Sequence, residues 1–193
     1  MAEGKLFYVI GPSGSGKDSL MSYARKRLAT SPCVVFAHRY ITRPANAGGE
    51  NHVALSEDEF ATRVQSNLFA MHWESHGCRY GIGSEINMWL AKNYNVVMNG
   101  SRGHLLEAQI THPKLIPVWI EVSPEVLAER LYARGRENEA EIKERLMRAA
   151  MYRATPSGIA IRNDGELEDA GEKLVQLIAP LIAPLIAPRI GEK

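Results

Sequence analysis

The chain has 193 residues, of which 45% are apolar and 23% charged, a size and composition suited to one domain with its own buried core. Its formal net charge of +1 excludes a general nucleic-acid binder, whose surface needs a large basic excess. No stretch approaches the roughly 20 apolar residues of a membrane span, and no signal-like apolar segment precedes the first strand. Cys33 and Cys78 stand far apart without metal or redox spacing. A cytoplasmic protein with reduced thiols, and with neither membrane nor nucleic acid as partner, is expected.

In chain order, Leu6–Ile10 reads as a buried strand and leads through a glycine-rich loop into a helix with Leu20, Ala24 and Leu28 at four-residue spacing. Val34–Ala37 is a second short strand, and 38–51 is polar and turn-rich. Ser56 followed by Glu59 is a capping box opening a helix with Phe60, Val64 and Leu68 as its apolar stripe. Residues 69–83 are mixed and punctuated by glycine. A helix after Ser84 carries Ile86, Trp89 and Leu90, then Asn95–Met98 and Leu115–Val122 are strands. Ser123-Pro124 starts a helix carrying Val126, Leu127 and Leu131, which Gly135 stops. A further helix runs from about Glu139 with Ile142, Leu146 and Ala149 on one face. Ile159–Ile161 is the last strand, and Leu167, Ala170, Leu174 and Ile178 mark a final helix. Strands alternating with helices predict an α/β fold, a mostly parallel sheet covered on both faces. Leu-Ile-Ala-Pro then repeats three times over Leu177–Pro188, and a proline every four residues forbids a regular helix there. This tail is expected to take no part in chemistry.

The loop after the first strand, Gly11-Pro12-Ser13-Gly14-Ser15-Gly16-Lys17-Asp18-Ser19, is a phosphate-binding loop with one irregularity. Its glycines allow the backbone to curl so that successive N–H groups face phosphate oxygens. Lys17 adds a point charge for the outer phosphates, and the next helix offers its positive end. ATP is the expected donor. Asp18 falls where a hydroxyl ligand to Mg2+ normally sits, and the hydroxyl arrives one residue late at Ser19, so both are candidate metal ligands. Three further clusters carry chemistry. Arg39 and Arg43, followed by Glu50, are spaced to grip a phosphate with guanidinium forks. Arg130, Arg134, Arg136, Arg145 and Arg148 bracket a short polar loop; on a flap such arginines can close over transferring phosphates, while some pair with Glu129, Glu141 and Glu144. Asn99-Gly100-Ser101-Arg102 ends a central strand, where Asn99 and Arg102 are placed to meet acceptor or metal. His72 and His76 are four apart, but no third ligand has suitable spacing.

In this order the clusters resemble the guanylate kinase family over nearly the whole chain to about Ile178. The carriers are Gly11 to Lys17; Ile41-Thr42-Arg43 with Gly49-Glu50; His76-Gly77-Cys78-Arg79-Tyr80-Gly81; Arg134-Gly135 and Arg145-Leu146; and Asn163-Asp164. The resemblance implies a P-loop kinase of 1–178, with core segments 1–37, 86–133 and 149–178, an acceptor region 38–85 and a lid 134–148, followed by the tail 179–193. It adds Tyr80 to the substrate-binding candidates and singles out Arg134 and Arg145, with Lys17, as the catalytic ones. Where the family reads guanine, a glutamate and a hydroxyl residue, the spacing here places Met71 or a close neighbour and Ile82; Glu74 substitutes only if the register slips. The resemblance is closer to the branch of the family that phosphorylates a sugar bisphosphate. Gly16-Lys17-Asp18-Ser19, Ala37-His38-Arg39-Tyr40, Glu50-Asn51-His52, Asn99-Gly100-Ser101-Arg102 and Arg134-Gly135-Arg136-Glu137-Asn138 carry it. It implies transfer from ATP, with Mg2+, to ribose 1,5-bisphosphate. A nucleoside monophosphate kinase, a kinase for another sugar phosphate and a non-catalytic interaction module are the alternatives. A homodimer stays open.

Overall fold

The computed structural model describes residues 4–47, 50, 52–135, 138–151 and 158–179; the repeat tail from residue 180 lies outside them. Five strands, β1 (Leu6–Ile10), β2 (Val34–Phe36), β7 (Asn95–Asn99), β8 (Ile116–Glu121) and β9 (Ile159–Arg162), form a wholly parallel sheet in the order β2-β7-β1-β8-β9. β1 is buried along its whole length, and its side chains alternate between two cores, as a strand in a sheet covered on both faces must. Phe7 and Val9 face α1 (Lys17–Arg27) and α7 (Leu167–Ile178), packing with Leu20, Ala24, Ala170 and Leu174. Leu6, Tyr8 and Ile10 face the opposite core with Ile86 of α3 (Glu85–Ala91) and Leu105 and Ala108 of α4 (Leu105–Thr111). Each fully buried side chain of this size contributes about 1.5–3 kcal/mol from leaving water.

A second sheet, order β4-β3-β6-β5, is built from β3 (Arg39–Ile41), β4 (Val53–Ala54), β5 (Phe69–Ser75) and β6 (Cys78–Gly83). The segments expected to be irregular, 38–51 and 69–83, therefore contribute strands. β5 and β6 are joined by a two-residue hairpin, His76 (φ 50°) and Gly77 (φ 70°), whose positive φ values suit the right-handed strand twist. His76 thus lies in a turn and His72 on a strand, and among the described residues no group of three His, Cys, Asp or Glu forms a metal site. α2 (Glu57–Gln65) starts as expected, the Glu59 amide donating to Ser56 Oγ at 3.1 Å. It stops sooner than its apolar spacing predicts. Asn67 turns left-handed (φ 55°), and Leu68 emerges 48% exposed rather than continuing the stripe.

α5 (Pro124–Arg134) begins at the Ser123 cap and ends on Gly135 at φ 60°, as predicted. α6 (Glu139–Met151) opens with a reciprocal capping box: the Glu141 amide donates to Asn138 Oδ1 at 3.0 Å and the Asn138 amide to Glu141 Oε2 at 2.8 Å. Leu127, Leu131 and Ile142 join the two helices in a small core of their own. No helix among the described residues is long and apolar enough to cross a membrane.

Candidate active site

The carboxyl ends of β1 and β7 open into a cavity of about 1240 Å³. That exceeds the usual range of about 300–1,000 Å³ for one small ligand, so it has room for two. Gly11 to Ser19 form one wall; Arg39, Arg43 and Glu50 face it, with Trp73, Tyr80, Arg102 and His104 around the remainder.

The loop wall is built by local necessity. Gly14 (φ 94°) and Gly16 (φ 80°) hold left-handed conformations that side chains disfavour. A Cβ on Gly14 would lie 2.8 Å from Leu127 Cδ1, and one on Gly16 would lie 2.5 Å from Asn163 Nδ2. The loop is tied from behind through the Ser15 carbonyl, which accepts Asn163 Nδ2 at 2.6 Å and Arg130 Nη1 at 3.4 Å. Arg130 therefore serves the loop rather than a surface ion pair. Asp164 accepts the Ser123 amide at 2.7 Å and so fixes the start of α5. Gly16 caps α1 without a side-chain bond, leaving the first-turn amides directed at the cavity.

Lys17 and Asp18 open α1. Lys17 Nζ donates to Asp18 Oδ1 at 2.9 Å and to Asn99 Oδ1 at 2.6 Å. Burial pushes the Lys17 ammonium below the usual lysine range, and Arg39 adds to this against the pull of Asp18 and Glu50. Burial pushes the Asp18 carboxyl the other way, up, but Lys17 with the help of Arg39 and Asn99 more than offsets it and holds it below the usual carboxylate range. The hydrogen bonds that Asp18 accepts from described side chains fall on Oδ1, and its side chain is 54% exposed. Ser19 is exposed on the same first turn.

Opposite, Glu50 receives a guanidinium fork from Arg39, Nε to Oε1 at 2.5 Å and Nη2 to Oε2, with Arg43 Nη2 at 3.7 Å. The Arg39 and Glu50 side chains are only 13% and 12% exposed. The Arg39 guanidinium lies 5.0 Å over the Tyr80 ring. Trp73 stacks on Tyr80 at 5.6 Å and on His104 at 5.2 Å, and His104 Nδ1 is 2.5 Å from Glu107 Oε2. Met71 and Ile82 are direct cross-strand partners, 3% and 0% exposed. Glu74 alternates with Met71 and Trp73 along β5; its side chain is 80% exposed, pairs with Arg79 at 3.6 Å and lines the cavity, while the register keeps Met71 opposite Ile82.

The strand exit that carries Asn99 is pinned by Tyr8. Its hydroxyl accepts the Ser101 amide at 2.9 Å and donates to the Ser101 carbonyl at 3.1 Å, and Gly100 lies against its ring with no room for a Cβ. Burial pushes the Tyr8 phenol up to about 12, so this neutral hydroxyl stays in place across the neutral range. Arg102 lines the cavity just beyond. From the flap, Arg145 Nη1 donates to Ser13 Oγ at 2.7 Å, reaching the loop wall; Arg134 is the last residue of α5. Arg136 lies outside the described residues.

Of the sequence candidates, the structure brings Lys17, Asp18, Asn99, Glu50, Arg39 and Arg43 into one cluster, and Tyr80, Arg102 and Arg145 to its edges. Trp73, His104 and Glu107 were not singled out as site residues. No local pattern marks them, because only the packing of β5 against the 3-10 turn Arg102–His104 makes them neighbours.

A parallel sheet with a phosphate loop after its first strand, basic groups across the cleft and an arginine on a helical flap defines a P-loop phosphotransferase. The guanylate kinase family model matches residues 3–180, and the chain belongs to that family. It is 63% identical over 180 residues to the ribose 1,5-bisphosphate phosphokinase PhnN of Thiobacillus denitrificans, covering 93% of this chain and 95% of that one. The protein of the same name from Desulfomicrobium baculatum is 56% identical over 175 residues, covering 90% and 94%. Among solved structures, guanylate kinase from Anaplasma phagocytophilum superposes with a TM-score of 0.65 at 15% identity, over 92% of this chain and 85% of that one, which shows the shared fold.

Proposed function

We infer that this protein transfers the γ-phosphoryl group of ATP to ribose 1,5-bisphosphate, giving 5-phospho-α-D-ribose 1-diphosphate and ADP, as an enzyme of phosphonate breakdown. The observation that carries this reading is the pairing of two phosphate grips across one cavity, with no polar pair at Met71 and Ile82 to read a base. The high identity to two phosphokinases named for this acceptor supports it.

The acceptor oxygen belongs to a phosphate monoester, largely ionised at neutral pH because its second pKa is about 6. It needs no strong general base. The barrier is repulsion between two anions, and the protein meets it with fixed positive charge. In this reading the loop amides from Gly11 to Ser19 and Lys17 hold the ATP phosphates. Arg39 and Arg43 turn from Glu50 to the acceptor phosphate, beside Tyr80 and Arg102. Arg134 and Arg145 close from the flap and shield ATP from water. Mg2+ fits the donor set: the exposed Asp18 carboxylate, or Ser19, offers a hard oxygen, and Mg2+ typically takes one or two protein oxygens and completes its shell with phosphates and water. When bound, it neutralises charge on the outer ATP phosphates.

Two measurements test these roles. ADP release should be at least about 100-fold more efficient with ribose 1,5-bisphosphate than with GMP, since a site without polar partners for a base gains nothing from one. Faster turnover with GMP would overturn the acceptor assignment. Asp18→Thr should raise the Mg2+ concentration needed for half-maximal rate by about tenfold if the carboxylate holds the cation, for a loss near 1.4 kcal/mol. An unchanged Mg2+ requirement and rate rule out an essential carboxylate and leave the task to Ser19.

A further inference from the structure

We propose that Asn99 is a positioning residue that couples the donor half of the site to the acceptor half, so that occupation of one lowers the cost of occupying the other. This rests on the reading above, in which Lys17 serves the donor and Arg39 and Arg43 serve the acceptor.

The side chain is 4% exposed, and both ends of its amide are engaged by the protein itself. Asn99 Oδ1 accepts Lys17 Nζ at 2.6 Å. Asn99 Nδ2 donates to Asp18 Oδ1 at 3.0 Å and to Glu50 Oε1 at 3.2 Å. One amide therefore touches the donor-side lysine, the carboxylate beside it, and the carboxylate that occupies the Arg39 fork. Its oxygen and nitrogen are not interchangeable here: an ammonium demands the acceptor and two carboxylates demand the donor, so the charged neighbours dictate its orientation. Such networks are strong when complete and costly when partly broken.

The cations of both halves are neutralised internally, Lys17 by Asp18 and Arg39 by Glu50. Donor phosphates recruit Lys17 away from Asn99 Oδ1. The amide loses the anchor that aims its nitrogen at Glu50, and the hold on Glu50 weakens. Arg39 and Arg43 then exchange Glu50 for a phosphate at lower cost. The same path runs in reverse, since coupling between two binding sites is reciprocal. Without the amide, the Arg39–Glu50 pair has no hydrogen-bonded link to Lys17 among the described residues.

Calorimetric titration of ribose 1,5-bisphosphate, with and without saturating AMP-PNP and Mg2+, tests this on the full-length wild type and Asn99→Ala. In wild type the nucleotide analogue should tighten acceptor binding about fivefold or more, the low end of ordinary coupling. In Asn99→Ala the two acceptor affinities should agree within about twofold while each ligand alone still binds. Coupling of wild-type size in Asn99→Ala overturns the proposal, as does its absence in wild type. A merely structural asparagine would lower thermal stability and leave the coupling ratio unchanged. Asn99→Ser, whose short hydroxyl does not span the same three partners, takes the same test if the alanine variant does not fold. Failure of the wild type to bind the acceptor at all would instead sink the functional reading on which the coupling rests.

Discussion

Lys17→Ala should lower kcat by about 10²–10³-fold, corresponding to about 2.7–4 kcal/mol of lost transition-state stabilisation. The lysine is the one side-chain cation of the loop wall, next to first-turn amides that supply only partial charge. Burial already presses its ammonium downward, and it leans on Asp18 and Asn99. In the proposed reading, donor phosphates replace those partners with stronger ones, and the charge is held where negative charge develops in the transition state. Steady-state ADP release measures the effect, with circular dichroism to confirm folding. A variant retaining near-wild-type turnover would remove the loop from the chemistry.

The second large effect is at Arg39. Arg39→Ala should raise the acceptor KM by about 100-fold, the loss of a charge-assisted bidentate contact worth about 3 kcal/mol. It should also destabilise the fold by about 2–3 kcal/mol. Removing one partner of a buried pair leaves the other charge uncompensated, and Arg43 at 3.7 Å offsets only part of that. The double variant Arg39→Ala/Glu50→Gln separates the two roles. It should recover most of the stability, because the stranded carboxylate is gone, and none of the acceptor affinity. If the double variant regains acceptor binding as well, Arg39 acts only by neutralising Glu50.

Much of this was legible in the chain because its causes are local. Ser56 with Glu59, Ser123 with Pro124, and Gly135 set helix ends through hydrogen bonds and φ values that depend on a few neighbours. The alternation of β1 between two cores follows from five apolar residues beside a glycine-rich loop. The phosphate loop is likewise contiguous, so its amides, Lys17 and Asp18 are read directly from nine residues.

What escaped the sequence is non-local. Strands β3 to β6 come from segments rich in polar residues and glycine, and their pairing, not their propensity, makes them strands. Leu68 has the spacing of a helix stripe, yet a left-handed Asn67 ends the helix before it. Arg130 and Asn163 are 115 and 148 residues from Ser15 and meet at its carbonyl. No spacing rule reaches that far.

Read without the fold, the chain already carries a phosphate loop after a buried strand and, after it, the arginine clusters in order. The reason is that phosphate recognition by successive amides is a property of contiguous backbone. Which of these residues meet is set by the fold. Lys17 and Asn99 are brought together by a parallel sheet whose strand order differs from chain order, Glu50 reaches them from between β3 and β4 of the second sheet, and a hydrogen bond is sensitive to separations of tenths of an ångström that no pattern of residues encodes.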